Sequence, residues 1–128
     1  MTAKIVAARN ISASTKWGVP ESFVITAIGN SFHRTSAAGR TLNPLWGETF
    51  SYGVAPASAK TMFLTLTVED KSASLLDEPI GQLSIPVAQI MQRQRWEGWF
   101  DLRAMNQSKA QTQGPPGSVH LILSWENA

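Results

Sequence analysis

The sequence of 128 residues contains no cysteine, which excludes a disulfide framework and any zinc site built on thiolates. Charged residues are scarce as well, at 16% of the chain, with eleven lysines and arginines against nine acids. The basic residues are scattered singly, so the basic runs that bind nucleic acid are missing and no nucleic-acid partner is expected. No segment approaches the ~20 apolar residues of a membrane span, or the shorter apolar run of a signal peptide. These absences predict a cytoplasmic protein.

The motifs of common enzyme classes are also missing. There is no Gly-x-Ser-x-Gly elbow and no glycine-rich phosphate loop, and the only histidines are His33 and His120, so neither a nucleophilic triad nor a nucleotide enzyme is expected. His120 occupies an outward position of the last expected strand, where a solvated imidazole is the favoured interpretation. His33 could contact a phosphate beside Arg34, but an exposed hairpin residue is again favoured. The chain is therefore interpreted as a non-enzyme.

What the sequence does contain is alternation of apolar and polar residues. A hydrophobic content of 43% at this length fits one globular domain over residues 1–128. A period of two places successive side chains on opposite faces of a strand. Strands are predicted at 4–10, 22–28, 31–35, 49–52, 62–70, 80–86, 96–102 and 118–126. A helical turn is predicted at 87–92, with irregular connections at 54–60 and 104–117. This pattern predicts an all-β sandwich.

The clearest alternation runs from Met62 to Asp70. Large aliphatic side chains occupy every second position there, so one face of this strand should pack on the core. The last strand shows the same pattern. The side chains expected in the interior are Trp46, Phe50, Leu64, Leu66, Val68, Leu121 and Leu123, together with Trp125.

The most specific stretch is the turn at residues 41–52. Asn43 can accept a hydrogen bond from its own backbone, and Pro44 fixes φ and removes a ladder donor, so this pair ends one segment and redirects the chain. Trp46 follows as an aromatic anchor. Phe50 and Tyr52 then alternate with small polar residues, which predicts entry into a half-buried strand.

This stretch resembles the N-P-x-W-N-E-x-F signature of C2 domains, with Gly47 in place of the second Asn. Residues 7–11 resemble the first strand of that family and its exit, and residues 20–24 resemble its S-D-P-Y-V motif. Asp70, followed by residues 77–81, resembles a calcium loop that runs into D-x-I-G. The resemblance implies an eight-stranded antiparallel β-sandwich with the phospholipase-type (type II) topology. It also implies loops at one end that bind calcium and phospholipid head groups.

The resemblance further implies where calcium ligands would lie. The five aspartate positions of the family are occupied here by Thr15, Glu21, Asp70, Ser72 and Glu78. Only three of them carry a carboxylate, whereas calcium needs six to eight oxygen ligands. Tight calcium binding is therefore not expected, and no cofactor is required. A weak single calcium site at Glu21, Asp70, Asp77 and Glu78 is the alternative, and loop-capping or solvated acids are slightly favoured over it.

Two loops at the same expected end carry large apolar residues. Trp17 stands beside Lys16 in the first loop, and Leu75 and Leu76 follow Lys71 in the acidic loop. Loop tips are normally small and polar, so these groups indicate insertion into a membrane. Burial against a neighbouring loop, or a protein interface with an aromatic hot spot, is an equally favoured interpretation.

A second lipid site is implied by the basic groove that binds phosphoinositides in some C2 domains. Here it would rest on Arg34 and Arg40, with His33. At about 1 kcal/mol for each basic residue near an anionic surface, two arginines alone cannot hold a protein on a membrane.

The leading hypothesis is a non-enzymatic module that docks peripherally on phospholipid membranes with weak or no calcium dependence. The alternative is a calcium-independent scaffold for a protein partner. The oligomeric state does not follow from the sequence.

Overall fold

The computed structural model describes residues 1–11, 18–71, 78–104 and 116–126. They form nine strands: β1 (Thr2–Arg9), β2 (Ser22–Ile28), β3 (Ser31–Arg34), β4 (Leu45–Ser51), β5 (Phe63–Asp70), β6 (Glu78–Pro86), β7 (Arg95–Asp101), β8 (Arg103–Ala104) and β9 (Ser118–Ser124). Two short helices connect them, α1 (Pro56–Ala59) and α2 (Val87–Arg93). Neither helix is long or apolar enough to cross a bilayer, and the described residues contain no other.

The strands form two antiparallel sheets that pack face to face. Sheet 1 has the strand order β4-β1-β9-β7, and sheet 2 has the order β3-β2-β5-β6-β8. The first strand lies inside sheet 1 and pairs with the last one, as the phospholipase-type connectivity requires. The predicted all-β antiparallel sandwich is therefore confirmed.

Two details of the prediction are wrong. The segment 54–60 is not wholly irregular, because Pro56 opens a helical turn, a position where its fixed φ suits a helix and its missing N–H costs nothing. The segment 104–117 is not all loop either, since it begins inside a ninth strand of two residues, β8, which pairs with Gly81 and Gln82 of β6. Leu102, just before β8, is buried, and this anchors the chain beside β6.

The core lies between the inner faces of the two sheets. Leu64, Leu66 and Val68 of β5 are fully buried, and so are Leu121 and Leu123 of β9 in the opposite sheet. Trp125 is also buried, at 5% exposure. These predictions are confirmed, because the period of two places each set of side chains on the inner face of its sheet.

Trp46 and Phe50 are only partly buried, in contrast to the interior position predicted for them. They lie on β4, the edge strand of sheet 1, so no further strand covers their open side. The indole Nε1–H of Trp46 donates to the backbone oxygen of Ser22 at 3.2 Å. Trp46 therefore links β4 of sheet 1 to the start of β2 in sheet 2.

Gly47 has a positive φ of 67°. Asn and Gly are the residues that adopt this backbone region most readily. The replacement of the second Asn in the N-P-x-W-N-E-x-F pattern by glycine therefore preserves the local conformation that the turn requires.

His33 is not the exposed hairpin residue that the sequence favours. Its ring stacks on Phe50, with centroids 4.9 Å apart, and meets Tyr52 edge-on at 5.0 Å. The hydroxyl group of Tyr52 in turn forms a hydrogen bond with the Thr26 hydroxyl. These groups close the side of the sandwich between β3 and β4.

Candidate functional site at the loop end

One end of the sandwich gathers most of the candidate residues. β1, β5 and β7 finish there, and β2, β4, β6 and β9 begin there; we call it the loop end. Five predicted site residues belong to connections at this end but lie outside the described residues: Lys16, Trp17, Leu75, Leu76 and Asp77.

Asp70, the central calcium candidate, acts as a cap for the chain between β1 and β2. Its carboxylate is buried, at 1% exposure of the residue, and Oδ1 accepts the backbone N–H of Glu21 at 3.0 Å. The carbonyl oxygen of Glu21 accepts the N–H of Lys71 at 2.9 Å. Asp70 and Lys71 together therefore hold the start of β2 against the end of β5.

The other acidic candidates converge on the same place. Glu21 precedes β2 and forms an isolated backbone bridge with Arg40, and Glu78 begins β6 directly opposite Asp70. Within the described ranges, however, no three acidic or histidine side chains are placed to hold a metal ion. The backbone arrangement thus brings Glu21, Asp70 and Glu78 together, with one Asp70 oxygen already bonded to a backbone amide.

The basic candidates do not share one groove. Arg34 lies over the ring of Phe23 on the outer face of sheet 2, with Cζ 3.9 Å from the ring centroid. Arg40 lies at the loop end and donates to the carbonyl oxygen of Val19 at 3.3 Å. Their pairing partners, Ile25 and Glu21, are four residues apart, roughly 13 Å along an extended chain. The half-buried ring of His33 packs on Phe50 and Tyr52, on the inner side of β3.

Exposed aliphatic side chains at the loop end were missed by sequence reasoning. Leu45 is 78% exposed, Val19 40% and Leu42 39%. Leu45 is the variable residue of the N-P-x-W motif, and the inward Trp46 beside it implied that Leu45 faces outward. No comparable signal marked Val19 or Leu42.

The segment that carries these leucines is held at both sides. The carbonyl oxygen of Pro44 accepts the N–H of Ala8 at 2.9 Å, and that of Leu42 accepts the N–H of Ile11 at 3.0 Å. The N–H of Thr41 donates to the carbonyl oxygen of Pro20, just before β2, at 3.2 Å. The segment 40–45 therefore presents Leu42 and Leu45 from a fixed backbone. We call Val19, Leu42 and Leu45 the apolar rim, and Arg40 and Lys71 are exposed residues of the same end.

A second exposed cluster lies on the outer face of sheet 1. The guanidinium of Arg9 stacks over Trp99, with Cζ 4.1 Å from the ring centroid, and Trp99 packs on His120. Nε2 of His120 lies 3.1 Å from a carboxylate oxygen of Glu97. Glu97 also pairs with Arg95 at 3.2 Å. The outward position predicted for His120 agrees with this arrangement, but its partners were not foreseen.

Comparison with known proteins agrees with this geometry. The family model of the C2 domain matches residues 1–102. The chain is 40% identical over 83 residues to Multiple C2 domain and transmembrane region protein 9 of Arabidopsis thaliana, covering 65% of this chain and 8% of that protein. It is 32% identical over 103 residues to FT-interacting protein 4 of Arabidopsis thaliana, covering 80% of this chain and 12% of that protein. The chain thus spans about a tenth of the length of these relatives.

Among solved structures, a C2 domain of plant Extended Synaptotagmin 1 superposes with a TM-score of 0.76. The match covers 98% of this chain and 95% of that chain at 17% identity. At this identity, the likeness supports the sandwich fold and does not extend to function.

Proposed function

Because the chain belongs to the C2 domain family, we propose that it is a non-catalytic module that docks on phospholipid membranes with weak or no calcium dependence. In this proposal it works as a peripheral membrane unit of the cytoplasm. A relative whose name joins C2 domains to a transmembrane region makes a role at a membrane reasonable.

The observation that carries the proposal is the apolar rim beside exposed basic residues. Val19, Leu42 and Leu45 project from the loop end, and exposed side chains of this size indicate a contact surface. Each buried aliphatic side chain contributes through apolar area at roughly 25 cal/mol per Å². Arg40 and Lys71 would add about 1 kcal/mol each near an anionic surface. The sum supports reversible docking, since permanent anchoring needs more apolar burial than this.

The loop residues predicted from the sequence would enlarge the same surface. Trp17, Leu75 and Leu76 belong to the β1–β2 and β5–β6 connections of the loop end. The indole has an apolar body and a polar N–H, which suits the boundary between acyl chains and water. Lys16 would lie at the head-group level beside Lys71. Arg34, on the outer face of sheet 2, would contact lipid only if the domain tilts toward that face.

Weak calcium dependence is supported by two features. Thr15 and Ser72 provide no carboxylate where the family pattern has aspartate, and Oδ1 of Asp70 already accepts a backbone N–H. Calcium needs six to eight oxygen ligands, so the remaining acids form at most a weak single site. In this proposal Glu21, Asp77 and Glu78 serve chiefly as solvated or loop-capping residues.

The test is co-sedimentation with vesicles of neutral and of anionic phospholipid, each with calcium and with a chelator. The Leu42→Ser, Leu45→Ser double variant should bind at least tenfold more weakly than the wild type, because it removes the aliphatic area that enters the membrane. Phe32→Ser is the matched control, since Phe32 is 71% exposed but lies near the opposite end, beside the turn between β2 and β3. Its binding should equal that of the wild type.

Equal binding by the leucine variant and the wild type would refute the docking surface. Binding that requires calcium would refute the weak calcium dependence. A triple variant, Trp17→Ala, Leu75→Ser, Leu76→Ser, tests the loop residues in the same assay.

A protein-interaction scaffold is the second candidate, favoured by the pair of Arg9 and Trp99. Trp99 is 41% exposed, and Trp and Arg are enriched among residues that dominate protein interfaces. One relative is named as an FT-interacting protein. Failure of every vesicle composition to bind the wild type would favour the scaffold over membrane docking.

A further inference from the structure

The outer edge of β7 is the longest regular strand edge that the described residues leave without a partner. β7 has seven residues and pairs with β9 on one side. The other sheet edges are limited: β3 has four residues and β8 has two. A long, regular edge is a template for pairing with another strand.

The remaining edge, β4, is protected against such pairing. Gly47 interrupts its extended backbone with a φ of 67°. A second copy of β4 paired about its centre would place Glu48 opposite the same residue, and like charges directly opposite are destabilising. The Glu48 carboxylate also accepts the N–H of Ser36, at 2.8 Å, which binds this edge to the chain that follows β3.

The sequence of β7, Arg-Trp-Glu-Gly-Trp-Phe-Asp, is complementary to itself in the antiparallel direction. When two copies pair about Gly98, each Arg95 stands opposite Asp101 of the second copy. Each Trp96 stands opposite Phe100 of the second copy. Thus opposite charges meet at both ends of the pair, and aromatic rings meet between them.

Neighbouring registers are disfavoured by charge. A two-fold axis perpendicular to the sheet places the inner faces of both copies on the same side. Residues directly opposite each other then face the same way, so the axis must pass through a residue, and each alternative register moves it to another residue of β7. An axis at Glu97 places that carboxylate opposite its own copy. An axis at Trp99 places Glu97 opposite Asp101 of the second copy, twice. Pairing about Gly98 avoids both repulsions.

Burial along β7 agrees with pairing that keeps the inner faces together. Arg95, Glu97, Trp99 and Asp101 are exposed on the outer face, whereas the inner-face residues between them are half-buried. Trp96 and Phe100 pack edge-on with centroids 5.1 Å apart, yet neither is fully buried. A cavity of about 590 Å³ opens beside this edge, lined in part by Phe100 and Asp101. A second strand therefore has space at this edge and apolar surface to cover.

We propose that two copies of this chain associate through antiparallel pairing of their β7 strands about Gly98, which joins the two copies of sheet 1 into one eight-stranded sheet. Glu97 does not oppose the association, because it stands opposite Trp99 of the second copy and its carboxylate pairs with Arg95 of its own copy. The loop ends of the two copies then point in opposite directions along the strands. The dimer would therefore display its two loop ends on opposite sides.

The first test exploits the absence of cysteine from the chain. In the proposed dimer the two Gly98 Cα atoms lie about 4.5–5.5 Å apart, within the range that a disulfide spans. A Cβ added at Gly98 meets nothing within 4 Å, so Gly98→Cys should fold. It should form a disulfide-linked dimer of twice the 13.9 kDa monomer mass under mild oxidation. Thr49→Cys, an exposed position on β4 of the same sheet, is the matched control and should cross-link far more slowly.

The second test reverses the charges. By sedimentation velocity from micromolar to submillimolar concentration, the wild type should form a dimer. Arg95→Asp and Asp101→Arg should each weaken that dimer about tenfold or more, since each replaces two attractive pairs by two repulsive ones. An equimolar mixture of the two variants should form a mixed dimer, because attractive pairs are restored. Lys4→Asp, on the outer face of β1, changes charge equally and should have no effect.

A wild type that sediments as a monomer throughout, with Gly98→Cys cross-linking no faster than Thr49→Cys, would overturn the proposal. Cross-linking at Gly98 without a response to the charge reversals would overturn the register and the proposal with it.

Discussion

Tyr52→Phe tests the packing between the end of β4 in sheet 1 and β2 in sheet 2. The Tyr52 hydroxyl forms a hydrogen bond with the hydroxyl of Thr26, and these residues are 4% and 0% exposed. The variant leaves the Thr26 hydroxyl buried without this partner, which costs about 1–3 kcal/mol. For a domain of this size, the melting temperature should fall by roughly 3–15 °C.

The matched control for this variant replaces both partners. In the Thr26→Val, Tyr52→Phe double variant no buried hydroxyl remains, and such paired replacements can be nearly neutral. The double variant should therefore melt at a higher temperature than Tyr52→Phe alone. Thermal unfolding monitored by circular dichroism measures all three proteins.

The same residue gives a pH prediction. Burial raises the pKa of Tyr52 above its ordinary value of 10.0, and the hydrogen bond with Thr26 lowers it by less. A raised pKa means that the native state holds the phenol proton more tightly than the unfolded state. This contribution to stability is present below pH ~10 and is lost as the pH rises through the native pKa.

Tyr52 is the only tyrosine in the chain, so its ionisation can be followed by the ultraviolet absorbance of tyrosinate. The midpoint should lie at a higher pH for the native protein than for the protein unfolded in urea. A native midpoint at or below that of the unfolded chain, or a Tyr52→Phe variant as stable as the wild type, would refute the reasoning.

Three further predictions concern the core, a glycine and calcium. Leu64→Ala should lower the free energy of unfolding by about 2–5 kcal/mol, whereas Phe63→Ala, at a neighbour that is 52% exposed, should cost far less by urea unfolding. Gly117→Ala should destabilise measurably, because Gly117 has a φ of 134° and an added Cβ would lie 2.9 Å from a backbone oxygen; Gly53→Ala, with open space, is its control. Millimolar calcium should raise the melting temperature only slightly, because the remaining acids form at most a weak site; a micromolar site would instead stabilise the protein by about 4 kcal/mol. A large rise that is abolished by Asp70→Asn would contradict the weak-site interpretation.

The regular strands could be predicted because their signal is local. β5 alternates large aliphatic residues with polar ones from Leu64 to Glu69, and β2 matches its predicted limits of 22–28. In β5 the period of two determines strand and face at once, and in β2 a run of β-branched and aromatic residues indicates the strand. α1 was not predicted, since four residues with one proline carry too little periodicity. β8 was missed because its two residues are fixed by Leu102, whose burial is a tertiary contact.

The face that His33 occupies could not be predicted from alternation. In β3 a large apolar residue, Phe32, precedes His33, and hydrophobicity alone would place the phenyl ring inside. The two-residue turn at Gly29 and Asn30 instead sets the register that pairs His33 with the inward Thr26. Phe32 is consequently 71% exposed, and the imidazole fills the gap beside Phe50. Hairpin geometry thus outweighs hydrophobicity on a four-residue edge strand.

The roles of the acidic residues in the candidate site could not be predicted from the sequence, because an acidic residue at a loop end can act in two ways. It can ligate a cation, or it can accept hydrogen bonds from the N–H groups that the loop itself leaves unpaired. Spacing along the sequence does not distinguish these roles. The bond from the Glu21 N–H to Asp70 joins residues 49 positions apart, so only the folded chain reveals it.

That hydrogen bond is also related to the two positions at which the family pattern has an aspartate and this chain has none. Where Thr15 and Ser72 replace carboxylates, a cation would find fewer charged oxygens to balance its own desolvation, and the remaining acids would repel one another less. Under these conditions Asp70 can be buried against a backbone amide without a metal, since a carboxylate is well satisfied by N–H donors. In our proposal the loop end thereby keeps its shape through internal hydrogen bonds, and the apolar rim, rather than a bound ion, provides the surface that meets the membrane.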